Sequence, residues 1–176
     1  MYEVRIATPE DVIGIRDVAT KAWYNTYLDI YAASTVNELL AASYNENHLL
    51  KRLKEQFFLV AIEDEEVVGF ANFISGTELY LSAHYVRPHS QHKGFGRLLL
   101  EKGIAHFEGQ YDAVYLEVDT QNERGVAFYE KEGFNVVRTY DSEMHKEIMH
   151  LALMKKPITS KEVKEGSRLT EIPYVN

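Results

Sequence analysis

Tyr80-Leu81-Ser82-Ala83-His84-Tyr85-Val86-Arg87-Pro88-His89-Ser90-Gln91-His92-Lys93-Gly94-Phe95-Gly96-Arg97-Leu98-Leu99-Leu100 reads as a strand, a short loop and a helix that opens on two glycines. Pro88 ends the strand, because it has no N–H to give a ladder. Gly94 and Gly96 carry no Cβ, so the backbone there can approach a bulky group closely. Leu98, Leu99, Leu100, Ile104, Ala105 and Phe107 recur at helical spacing and predict a buried helix face. The first amides of a helix lack internal partners and carry the positive end of its dipole. With Lys93 and Arg97 beside it, this helix start is a candidate seat for a phosphate or diphosphate.

Two familiar phosphate readings fail. A dinucleotide fingerprint needs a third small residue for close helix packing, and that position holds Leu99. A P-loop needs Gly-Lys-Ser/Thr, which is not present here. What remains is Gln-x-x-Gly-x-Gly, as Gln91, Gly94 and Gly96, which by itself also fits a plain strand-to-helix turn.

A second stretch, Asn122-Glu123-Arg124-Gly125-Val126-Ala127-Phe128-Tyr129-Glu130-Lys131-Glu132-Gly133-Phe134, reads as a short helix. Asn122 suits its start and Gly133 its stop. Ala113 to Val118 reads as a strand just before it. Together, in this order and each preceded by a strand, the two stretches resemble the GNAT family of acyl-CoA-dependent N-acyltransferases. The resemblance covers roughly residues 2 to 155 in element order and is most specific at 91–96 and 122–134. It implies an α/β (α+β) fold: a central mixed, mostly antiparallel, twisted sheet of about seven strands flanked by helices. It also implies a V-shaped splay between the fourth strand, ending at Val86, and the fifth, ending near Val118.

Composition sets outer bounds. A chain of 176 residues fits a single domain, here 1–156, with 157–176 as a polar tail. Hydrophobic residues make up 45% and charged ones 26%, as in globular proteins. No apolar run approaches the length of a membrane span, and no secretory signal is visible. The absence of cysteine excludes disulfides and thiolate chemistry, and fits a cytoplasmic protein. A formal net charge of -8 argues against nucleic acid as a partner and is compatible with a cationic substrate. Among seven histidines no spacing suggests a metal site; His145 and His150, five apart, are a poor ligand pair.

Taken in order, Tyr2 to Ala7 alternates as a strand. Thr8-Pro9-Glu10-Asp11 starts a helix expected to run to about Asn25. Helix should follow over about 35–54, broken near Asn45-Glu46-Asn47. Strands 56–63 and 67–75 form a hairpin at Asp64-Glu65. Strands over about 135–140 and 147–154 close the domain. The tail is expected to dock on its own domain or on a neighbouring chain, and a homodimer is compatible with that.

The resemblance assigns roles. The turn Gln91, His92, Lys93, Gly94, Phe95, Gly96 and Arg97 would hold acetyl-CoA. Tyr85 and Val86 at the strand end would also contact it. Asn122 at the next helix start would hydrogen-bond its pantetheine or phosphate end, a plain helix cap being the other reading of Asn122. Backbone amides from His84 to Val86 would polarise the thioester carbonyl, where charge builds in the transition state. Tyr129 matches the family tyrosine that sits near the sulfur and serves as general acid; half-buried packing is its other reading. No metal is required.

An amine of pKa about 10.4 is neutral about once in 2,500 molecules at pH 7, so a base must take its proton. Many relatives use a Glu within the fourth strand, where this chain has Ser82. Glu78 and His84 are the nearest catalytic candidates, with Glu117 further off. The acceptor wall would include Trp23, Tyr27 and Tyr44, unless these aromatics serve only the core. Their neighbourhood resembles the bacterial spermine/spermidine N-acetyltransferase branch, which implies a small polyamine acceptor. A protein or peptide amine, or a non-catalytic acyl-CoA sensor, are the other readings. Carboxylates such as Glu78 and Glu46 lining the cleft would favour the polyamine.

Overall fold

The computed structural model describes residues 2–158. The expected docking of the tail therefore lies outside the described residues, apart from its first two positions. A strand, β1 (Tyr2–Ile6), leads through a 3-10 turn at Pro9–Asp11 into α1 (Val12–Tyr27). Asp11 fixes this entry: its carboxylate accepts the Thr8 N–H at 2.8 Å and both guanidinium nitrogens of Arg5 at 2.8 and 3.0 Å. The helical region then divides into α2 (Ala33–Tyr44) and α3 (Glu46–Glu55). The break falls at Asn45, whose extended backbone ends one helix while its side chain caps the next by accepting the His48 N–H.

Next come β2 (Phe57–Glu63), β3 (Glu66–Ser75) and β4 (Leu79–Val86), an antiparallel meander. Asp64 and Glu65 both have positive φ, the backbone of a tight turn that matches strand twist. Beyond a 3-10 turn at Pro88–Ser90 follow α4 (Phe95–His106), β5 (Ala113–Asp119), α5 (Glu123–Lys131), β6 (Asn135–Met144) and β7 (Glu147–Pro157). The last two strands are longer than the sequence predicts, and their turn projects beyond the sheet's end.

The seven strands form one sheet in the order β1-β2-β3-β4-β5-β7-β6. Only β4 and β5 run parallel, and they pair at just Leu79–Val114 and Tyr80–Tyr115. Past those pairs the strands separate, which is the splay the family resemblance implies. An extra residue in β4 contributes: opposite β3, Ala83 pairs with Asn72 and Leu81 with Phe73, so Ser82 is a bulge. A bulge bends its strand and shifts the inside–outside alternation by one residue. Leu79 and Leu81 face the α4 side, but after the bulge it is His84 and Val86 that do so.

Each face of the sheet has its own core. Ile15, Val18, Val36 and Leu49 of α1–α3 pack on Phe58, Val60 and Phe70. Leu99 and Leu100 of α4, with Phe107 at its C-terminal cap, pack on Leu59, Ala71, Phe73 and Leu116. This explains the unbroken apolar run of β2, which is covered on both sides. Gly103 lets α4 approach β3: a Cβ there would lie 2.0 Å from the fully buried Phe73 ring. Gly103→Ala should therefore cost about 2 kcal/mol and lower Tm by about 6 °C in a thermal melt. An unchanged Tm would show that the ring can yield. Among the described residues no helix is long and apolar enough to cross a membrane.

Candidate active site

A cavity of about 1090 Å³ runs through the gap between β4 and β5 and opens on both faces of the sheet. On one face its wall is the turn before α4 together with α5. On the other it is α1, α2 and the tip of the β6–β7 hairpin. A tunnel of this kind lets two ligands enter from opposite sides and meet inside the sheet.

At the first face the chain turns through positive φ at His92 (66°) and Gly94 (88°) before α4 begins. A Cβ on Gly94 would meet nothing within 4 Å, so its backbone borders open space. The amides of Phe95, Gly96 and Arg97 belong to the first turn of α4 and have no intrahelical partner. Gln91, His92, Gly94, Phe95, Gly96 and Arg97 all line the cavity. Ser90 lines it too, and its buried Oγ has no hydrogen-bond partner among the described residues. Across the opening, Arg124 of α5 donates to His92 Nε2 at 3.0 Å. Amides without intrahelical partners at the positive end of a helix, on residues that line the cavity, suit a diphosphate, and so these residues fit coenzyme A.

Where the two faces meet stands Tyr129, with its hydroxyl 2.9 Å from His84 Nδ1. Burial pushes the Tyr129 phenol above its ordinary range, with Tyr27 adding a smaller push, so it stays protonated. His84 Nε2 lies 2.7 Å from the Gly96 carbonyl. Burial outweighs that hydrogen bond and lowers the His84 pKa from 6.5 to about 4. The imidazole is thus neutral in the fold but takes a proton below pH 6.5 once unfolded. Stability should be fully present above pH 6.5 and fall as pH drops toward about 4, by at most about 3 kcal/mol from this group. Denaturant unfolding across that window should show the slope, and His84→Gln should flatten it.

Beyond the V the second face is aromatic and acidic. Trp23 and Tyr27 pack with their rings tilted by 36° and centroids 4.3 Å apart. Asp119, at the end of β5 and 1% exposed, accepts from the Tyr31 hydroxyl and from the Gln121 N–H. Glu117, also on β5, accepts from the Tyr80 hydroxyl at 2.7 Å. Glu143 lines the same wall from the hairpin. That hairpin is held against α2 by Glu147, which accepts the Ala32 N–H at 3.0 Å, and by His145, 3.3 Å from Glu38.

The family follows from this architecture and from the sequence match. Residues 18–134 match the model of the acetyltransferase (GNAT) family. The chain belongs to the GNAT family. It is an N-acetyltransferase, with acetyl-CoA as co-substrate. A spermidine N(1)-acetyltransferase of Thermoplasma acidophilum is 29% identical over 80% of this chain and 92% of its own length. A peptidyl-lysine N-acetyltransferase of Escherichia coli is 28% identical over 43% of this chain and 47% of its own. The crystal structure of the PaiA N-acetyltransferase of Thermoplasma acidophilum with coenzyme A superposes at a TM-score of 0.78. It is 26% identical and covers 89% of this chain and 99% of the other.

Most of the residues that the GNAT resemblance singles out come together. His84, Tyr85, Val86, Asn122, Tyr129, Trp23 and Tyr27 line the cavity along with the glycine turn. Asn122 is also a helix cap: its Oδ1 accepts the Gly125 N–H, while Nδ2 reaches the Tyr27 hydroxyl at 3.5 Å. Three stand apart. Tyr44 is buried against Phe70 beneath Arg52, a core position that does not line the cavity. Lys93 points away from the channel to Glu63, at 3.2 Å. Glu78 precedes β4 at the zipped end of the V, outside the cavity. Glu46, in the first turn of α3, is also outside it. The geometry also argues against His84 as the amine's base, since its low pKa and two engaged nitrogens leave nothing for a substrate proton. Ser90, Arg124, Asp119 and Glu143 are the site residues that sequence reasoning did not single out.

Proposed function

We propose that the protein transfers acetyl from acetyl-CoA directly to a small primary amine, best matched by a polyamine such as spermidine or spermine. One observation carries this reading: the acceptor arm is walled by Glu117, Asp119 and Glu143 together with Trp23 and Tyr27. Carboxylates attract a polycation, and aromatic faces hold ammonium groups and methylene chains alike. The net charge of -8 favours the same substrate, and the spermidine acetyltransferase relative adds support. A cytoplasmic address belongs to this reading, as the cysteine-free composition suggests.

In this reading the coenzyme supplies an activated acetyl thioester. The amides of Phe95, Gly96 and Arg97, with Gln91, His92 and Arg124, hold its diphosphate. Strand amides between His84 and Val86 stabilise charge on the reacting carbonyl oxygen. Glu117 takes the amine's proton, and Tyr129 gives one to the departing sulfur.

A thiol-release assay with acetyl-CoA and a panel of amines tests it. Spermidine and spermine should give kcat/KM values at least about tenfold above those for a lysine peptide, because only they place a second ammonium on the acidic wall. Preference for the peptide would transfer the activity to protein amines. Tight coenzyme binding without any turnover would leave a sensor.

A further inference from the structure

We propose that His84 is a positioning residue which ties the general acid to the cofactor seat, holding the Tyr129 hydroxyl through Nδ1 and the Gly96 carbonyl through Nε2–H. The inference rests on the acetyl-transfer reading above and gives that site a part it did not have.

The hydrogen-bond directions follow from the acceptors. Gly96 offers His84 Nε2 a carbonyl oxygen at 2.7 Å, which can only accept. Nε2 therefore carries the imidazole proton. A neutral ring has one N–H, so Nδ1 presents a lone pair, and the Tyr129 hydroxyl 2.9 Å away must donate to it. Both bonds are short and well formed, and Phe128 flanks the ring at 5.8 Å between centroids. The tyrosine oxygen then turns its lone pairs toward the cavity, and its proton must rotate off Nδ1 to be given elsewhere. His84 thus fixes where the hydroxyl stands and which way it points, without gaining or losing a proton itself.

Three separate elements meet at this ring. His84 comes from β4, Gly96 from the first turn of α4 and Tyr129 from α5. Gly96 is also one of the first-turn residues of α4 that line the cavity. The bulge at Ser82 brings the imidazole to this face; with unbroken alternation from Leu79 and Leu81, it would point to the α1 side. A histidine used only for packing needs no such arrangement, since an apolar residue of similar size would fill the space and leave no polar atom to satisfy.

A double-mutant cycle with Tyr129→Phe tests the assignment. His84→Ala should lower kcat about tenfold in the wild-type background, the worth of one well-placed hydrogen bond. In the Tyr129→Phe background it should lower kcat less than about twofold, because the group it positions is gone. His84→Asn, which offers an acceptor near the place of Nδ1, should recover part of the lost kcat. Equal losses in both backgrounds, or a change in KM alone, would overturn the assignment. If the alanine variant does not fold, His84→Leu, which fills the space but offers no acceptor, completes the cycle under the same criteria. An independent readout needs neither substrate nor variant: long-range 15N–1H NMR at neutral pH should show the His84 proton on Nε2. A proton on Nδ1 would reverse the Tyr129 bond and refute the proposal. If wild type acetylates no amine, the functional reading fails while the NMR result still decides the hydrogen-bond directions. If wild type is active and the two substitutions act additively, only the role of His84 fails.

Discussion

Tyr129→Phe should reduce kcat for acetyl transfer about a hundredfold while changing the KM for acetyl-CoA less than about twofold. The substitution removes a single oxygen and leaves the ring, which packs edge-on against Phe128 and Phe134 at 5.3 and 5.5 Å between centroids. In the proposed function, coenzyme seating rests on backbone amides and side chains of the glycine turn, none of which the change touches. Under the same reading, what goes is the proton source for the departing sulfur. A thiolate without a proton donor is a poorer leaving group, and the loss falls on kcat because it is felt in the transition state. Steady-state kinetics at saturating amine would measure it. A kcat within threefold of wild type, with Tm unchanged, would mean that water or another group supplies the proton.

A second large effect is expected at Glu117. Glu117→Gln should lower kcat/KM for the amine about a hundredfold at pH 7. The pH dependence is the sharper test. Below the amine's pKa, each pH unit leaves about tenfold less neutral amine, which is the deficit a base relieves. Above that pKa solvent has already removed the proton. The ratio of wild type to variant should therefore be greatest near neutrality and shrink toward pH 10. A ratio constant across this range would make Glu117 a binding carboxylate and move proton removal to a water chain.

The order of elements and the backbone of the glycine turn were legible because local chemistry dictates them. Gly94 must adopt a left-handed backbone, Asn45 and Asn122 cap helices, and Gly133 stops one, whatever the rest of the chain does. Tyr129 could be singled out because the stretch from Asn122 to Phe134 resembles the second GNAT motif, whose tyrosine it matches. The acceptor side was not legible to the same degree. Its carboxylates come from a strand end, Asp119, and from a hairpin tip, Glu143, which approach α1 and α2 only after folding. Tyr44 looks like its aromatic neighbours in sequence, yet α2 turns it into the core. The orientation of His84 escaped alternation rules because the bulge at Ser82 shifts the register by one residue. No pattern in Leu79–Val86 announces a bulge, since Ser82 is an ordinary strand residue.

The two halves of the sheet are joined along their parallel seam by two residue pairs alone. Whatever occupies the wedge beyond them substitutes for the missing ladder. Coenzyme and acceptor are then reagents and also mortar, and by mass action the protein's resistance to unfolding will track how much of them its surroundings hold. Starved of its donor, such an enzyme becomes easier to unravel, so its abundance in a cell would follow the supply of the molecule it spends.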